Sequence, residues 1–139
     1  MFKKILLATD GSDHALRAAI KAADIAKLTS DTMITVVYVV DGTTSKSDVL
    51  SAGDKEAINE KRSRKLRPTE QLLEKENIAF KIKMLKGEPG PEIVKYANKE
   101  EFDLVIVGSR GLNALQEMVL GSVSHKVAKR VESPVMIVK

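Results

Sequence analysis

The chain contains no cysteine. Disulfides, thiolate chemistry and cysteine-ligated zinc are thereby excluded, and the composition suits a reducing compartment. Aromatic residues make up only 4% of the 139 residues. That is too few to interleave with the basic run Lys61-Arg62-Ser63-Arg64-Lys65-Leu66-Arg67 as a base-stacking surface requires. Acidic residues at Glu56, Glu60, Glu70 and Glu74 flank the run, so it reads as a solvated helix face and not as a nucleic-acid patch. Long apolar runs are missing as well. Nothing approaches the roughly 20 residues of a membrane helix, and Ile5-Leu6-Leu7-Ala8 is too short for a signal-peptide core. Two nucleotide signatures are also absent, the phosphate loop G-x4-G-K-[ST] and the dinucleotide fingerprint G-x-G-x-x-G. Their absence argues against a P-loop NTPase and a dinucleotide-dependent dehydrogenase. The two histidines, His14 and His125, stand outside any metal-ligand spacing. The expectation is a soluble cytoplasmic protein without nucleic-acid or membrane partners.

What is present is the material of one α/β domain spanning residues 1–139. Hydrophobic residues are 43% of the chain and the net charge is +4, which permits anionic ligands without demanding them. The stretch around Lys3–Thr9 predicts a first strand. Ser12 is placed to cap a helix running to about Leu28, with a stripe of small apolar residues at Ala15, Ala18, Ala19, Ala22 and Ala26. Met33–Val40 is a β-branched run and predicts a central strand. Asp41–Gly53 reads as a polar loop. Lys55–Asn77 reads as a charged helical region that Pro68 should kink or break. Ala79–Leu85 alternates apolar residues with lysines, the pattern of an edge strand. Pro89–Glu100 predicts a short helix, Asp103–Val107 a fourth buried strand, Ser122–Val131 a helix and Val135–Val138 a fifth strand. Five alternations of strand and helix give a parallel sheet with helices on both faces, a Rossmann-like architecture. Ligands of such sheets bind at the carboxyl ends of the strands, where Asp10, Val40 and Gly108 fall.

The most specific segment is Val107-Gly108-Ser109-Arg110-Gly111-Leu112 followed by Gly121-Ser122-Val123-Ser124, a G-x2-G-x9-G-S spacing after a buried strand. Glycines there let backbone approach a ligand closely, and a helix start at Ser122 offers free N–H groups and a positive dipole end suited to phosphate. The bland reading is that the glycines shape turns and Ser122 caps a helix. Arg110 either reaches a phosphate with its forked donors or is a solvated turn arginine. Asp10 either caps its own turn or contacts a ligand.

With Ile5-Leu6-Leu7-Ala8-Thr9-Asp10-Gly11-Ser12, Gly87-Glu88-Pro89 and Ser133-Pro134-Val135-Met136-Ile137-Val138, that segment resembles the universal stress protein family over essentially the whole chain, in the branch carrying the ATP-binding G-x2-G-x9-G-[S/T] motif. The resemblance implies a strand order of 3-2-1-4-5 and a site for ATP with Mg²⁺. Ala8, Thr9 and Asp10 would lie at the adenosine end, and the backbone of Val39 or Val40 at the adenine edge. Val107, Gly108, Arg110, Gly111, Gly121, Ser122, Val123 and Ser124 would lie along the phosphates. An acid at Asp10 can also support a phosphate-bound Mg²⁺, but no protein side chains form a metal site of their own. The resemblance further implies a homodimer through Val135, Met136, Ile137 and Val138. No residue reads as a committed catalytic base. The expected role is a nucleotide-responsive regulatory or protective module. Its alternatives are a slow ATPase or related adenine-nucleotide enzyme, and an interaction protein with the fold but no ligand.

Overall fold

A computed structural model describes residues 2–40, 52–109 and 121–139. Five strands form one parallel sheet: β1 (Lys4–Ala8), β2 (Met33–Val40), β3 (Ala79–Lys86), β4 (Leu104–Gly108) and β5 (Val135–Val138). Their spatial order is β3-β2-β1-β4-β5, as the resemblance implied. Four helices connect them: α1 (Asp13–Ala26), α2 (Ala52–Lys75), α3 (Pro89–Glu100) and α4 (Ser122–Arg130). Among the described residues no helix is long and apolar enough to cross a membrane.

Both faces of the central strands are buried, which is why β1 and β4 read as continuous apolar runs. Ile5 and Leu7 point to one face with Ile34, Val36, Leu104 and Ile106, under the alanine stripe of α1 and under Leu66 and Leu73 of α2. Leu6, Val37, Val105 and Val107 point to the other, under Ile93 and Ala97 of α3 and Val127 of α4. The small residues of α1 let that helix lie close to the sheet: Ala18, Ala19 and Ala22 are fully buried. Ser12 caps α1 as predicted, its Oγ accepting from Ala15 N–H at 3.2 Å. The chain re-enters the sheet at β4 through Asp103, whose Oδ2 accepts the Lys3 and Lys4 N–H groups at 3.1 and 2.9 Å.

Two expectations are corrected. The polar loop was expected to reach Gly53, yet Ala52 and Gly53 already belong to α2; the rest of that loop lies outside the described residues. Pro68 does not end the helix, which runs unbroken from Ala52 to Lys75. Leu66, Thr69 and Leu73 are buried on either side of Pro68, so tertiary packing holds the helix around Pro68 and overrides the missing hydrogen bond. That bond would have run to the carbonyl of Arg64, four residues earlier. Pro68 is exposed, so Pro68→Ala is expected to restore the bond at no packing cost. The gain is about 2 kcal/mol, after allowing for the looser unfolded chain. A rise in the urea midpoint with an unchanged slope is the measurement that checks it.

The outermost strand β3 is an edge, as its lysines suggested. Its alternation does not bury an apolar face, however. Ile82 and Met84 are 37% and 39% exposed, with Lys81, Lys83 and Lys86 also exposed. At the end of a sheet little lies across from either face.

Candidate functional site

The carboxyl ends of β1, β2 and β4 converge on one crevice. The topology reverses there: β1 neighbours β2 on one side and β4 on the other, the switch point at which open α/β sheets bind ligands. Strand lengths shape the crevice. β1 pairs with β2 only as far as Ala8↔Val37, whereas β2 continues to Val40 beside β3. The last three residues of β2 therefore run past the end of β1.

Backbone parity decides which of them faces the gap. The Val37 carbonyl accepts from Thr9 N–H at 3.0 Å, so Val37 faces β1; the Val40 carbonyl accepts from Gly87 N–H at 2.9 Å, so Val40 faces β3. In a strand each residue points both backbone groups to one side, and successive residues alternate. Val39 therefore aims its N–H and C=O where β1 no longer runs beside it. Sequence reasoning named Val39 and Val40 together; the structure separates them.

The same parity places Gly108. Ser109 N–H donates to the Val138 carbonyl at 2.8 Å, so Ser109 faces β5 and Gly108 faces back toward β1, beyond the last pair Leu7↔Ile106. A side chain at Gly108 would put its Cβ 2.9 Å from the backbone carbon and oxygen of His14. This is a close approach of the first turn of α1 to the end of β4 that only glycine allows. The Nδ1 of His14 is buried at this crossing without a hydrogen-bond partner. Val107, just before Gly108, is buried in the core.

The Thr9-Asp10-Gly11-Ser12 turn organises itself. Gly11 N–H donates to Thr9 Oγ1 at 3.2 Å and Ser12 N–H to Asp10 Oδ1 at 2.9 Å. The turn-capping reading of Asp10 is thus realised, and it holds the carboxylate at the mouth of the crevice. Gly11 has φ +83°, a left-handed conformation that glycine adopts without strain.

Opposite, α4 begins at Ser122 with Gly121 as its N-cap, and no side chain caps it. Ser122 is therefore the first helical residue and not the cap that the bland reading made it. An uncapped helix start presents N–H groups without intrahelical partners. The Ser124 side chain turns inward: it is 2% exposed, and its Oγ lies 3.1 Å from the Ser109 carbonyl and 3.0 Å from the Gly121 carbonyl. Gly121 N–H also donates to Ser109 at 2.8 Å. The Ser109 carbonyl thus ties the start of α4 to the end of β4, a function the motif spacing did not reveal. Val123 is half-buried against the core. Arg110 and Gly111 lie outside the described residues. Among the described residues no group of three or more His, Asp or Glu is arranged to hold a metal ion.

This architecture has known counterparts. Universal stress protein MJ0531 of Methanocaldococcus jannaschii is 35% identical over 146 residues, covering all of this chain and 83% of the relative. The solved structure of MJ0577, from the same organism, superposes with a TM-score of 0.86 at 32% identity and covers all of this chain and 96% of that one. A universal stress protein described in complex with cAMP has a TM-score of 0.70 at 25% identity and is covered to 96% by 99% of this chain. The model of the universal stress protein family matches residues 1–139 from end to end. The chain belongs to the universal stress protein family.

Proposed function

We propose that the protein binds an adenine nucleotide, ATP with Mg²⁺, across the carboxyl ends of β1, β2 and β4, and serves in the cytoplasm as a nucleotide-responsive regulatory or stress-protective module. The observation that carries this reading is the Val39 backbone, a donor and an acceptor side by side in the gap left by the short β1. The adenine edge offers the complement, the N6 amino donor beside a ring-nitrogen acceptor. Asp10 stands at the neighbouring strand end for the ribose, and the uncapped start of α4, Gly121–Ser124, receives the phosphates. Mg²⁺ would arrive with the phosphates, whose charge it would offset. The relative in complex with cAMP supports an adenine ligand. Denaturing the purified protein and chromatographing the supernatant tests the reading: adenine nucleotide near one equivalent per chain is expected, and protein that neither carries nor takes up such a nucleotide would overturn it.

Turnover is expected to be slow. The described residues of the crevice supply backbone donors and one turn-bound carboxylate, but no group poised to orient an attacking water as efficient phosphoryl transfer requires. Single-turnover hydrolysis of labelled ATP should run far below the usual enzyme range of roughly 1–10³ per second. A rate inside that range would make the protein an ATPase.

We further propose a homodimer joined through β5. That strand closes one edge of the sheet, and Val135, Met136 and Ile137 are only half-buried within one chain. An apolar edge with unpaired backbone groups invites a second strand, and a two-fold pair uses the same strand twice.

A further inference from the structure

Arg64 and Lys65 of α2 border a cleft of about 430 Å³ together with Gly11 and Pro68. Gly11 follows Asp10, so the cleft opens at the same end of the sheet as the crevice, but on the α1–α2 face; α4 belongs to the opposite face. The cleft is open to solvent, and its α2 side is held in place. Leu66, Thr69 and Leu73 are buried and hold α2 in place. The Lys65 stem lies directly on the turn: a Cβ at Gly11 would be 2.9 Å from Lys65 Cβ and 3.0 Å from its Cγ. The Lys65 ammonium stands 6.0 Å from the Tyr38 ring centroid. Pro68 has no N–H, so the Arg64 carbonyl lacks its helical donor. Among the described residues the ion pairs are Lys3–Asp31 and Lys27–Glu76; neither Arg64 nor Lys65 has a carboxylate partner. Two adjacent cations on a held helix beside the Asp10–Gly11 turn, neither in an ion pair among the described residues, make an environment for a dianion. Arginine's fork adds a match to phosphate geometry.

We propose that Arg64 and Lys65 form a second phosphate position, so that the preferred ligand is a nucleotide bearing a phosphate on its ribose in addition to the 5′ phosphate. This rests on the adenine-nucleotide reading of the crevice. With the 5′ phosphate at the start of α4 on one face, a ligand crossing the ends of β4 and β1 turns its far side toward Gly11 and α2. An anionic group there meets the two cations.

The test is calorimetric titration of adenosine 5′-monophosphate and adenosine 3′,5′-bisphosphate at one fixed ionic strength. The bisphosphate is expected to bind the wild type about tenfold more tightly than the monophosphate. The double variant Arg64→Gln/Lys65→Met keeps the side-chain stems and should lose that advantage while binding the monophosphate as before. Lys95→Met/Lys99→Met, which removes two exposed lysines of α3, should retain it. Equal affinities in the wild type, an advantage that survives in the Arg64/Lys65 variant, or one lost equally in the α3 variant would each overturn the second phosphate position and leave the adenine site standing. Failure of both nucleotides to bind the wild type would overturn the adenine reading and this inference with it.

Discussion

Gly121→Val is expected to lower affinity for adenine nucleotide by about a hundredfold or more while leaving the fold in place. Gly121 sits at φ −62° and ψ 153°, a conformation valine adopts freely, so no backbone strain arises. The branched Cβ would stand over the first turn of α4, where the N–H groups of Ser122, Val123 and Ser124 meet phosphate on the proposed reading. Hydrogen bonds to a charged group contribute roughly 1.5–3 kcal/mol each, and displacing the phosphate weakens several together. The stability cost is smaller, about 1 kcal/mol for a poor N-cap residue. Ser122→Ala removes one exposed hydroxyl and should cost about tenfold. Isothermal titration decides the matter: wild-type affinity in a folded Gly121→Val protein would remove the α4 start from the site.

Ile137→Pro is expected to convert a dimer into monomers without unfolding the chain. The parity of β5 makes this a clean experiment. The Pro134 and Val138 carbonyls accept from Val105 and Ser109 of β4, so Pro134, Met136 and Val138 face inward. Val135 and Ile137 face out, along the open edge. Proline at 137 therefore removes a donor that only a second chain can use, and prolines are tolerated at such edges. Met136→Pro is the contrasting variant, because it deletes a donor to β4 and should destabilise the sheet itself by about 3 kcal/mol. Sedimentation equilibrium at micromolar concentration gives the readout. A wild type that sediments as a monomer defeats the dimer; a dimer that survives Ile137→Pro places the interface elsewhere.

Much of this molecule could be read from residue types. Met33–Val40 emerged as a strand with both ends right because a β-branched run between polar segments has one reading. Ser12 emerged as a cap because its hydroxyl lies three residues before a free N–H. The strand order came from the family resemblance and not from periodicity, since alternation of elements sets parallelism but not neighbours. Pro68 does not break the helix, and local propensity could not show this, because it carries no information about Leu66 and Leu73, whose burial holds the helix together. The choice between Val39 and Val40 is likewise out of reach: it depends on which residue of β2 accepts from Thr9 and which from Gly87, contacts made 28 and 47 residues apart along the chain. Ser124 was expected at a phosphate because it is a hydroxyl at a helix start. Its hydroxyl turns inward because the carbonyl of Ser109, brought close by the β4–α4 connection, is within reach. Lys65 belongs to a basic run that reads as a solvated face, and nothing in that run says which lysine lies on a glycine turn.

The lysines of β3 have a bearing on how far association can go. Lys81, Lys83 and Lys86 are exposed along that strand, while β5 carries no charge. A strand approaching β3 would have to desolvate three ammonium groups, and a second copy of β3 would bring three more of the same sign. Of the two sheet edges, β5 is therefore the one suited to strand addition. On the proposed dimer, pairing through β5 would use the apolar edge, and the lysines of β3 would weigh against growth into a filament from the outer edges.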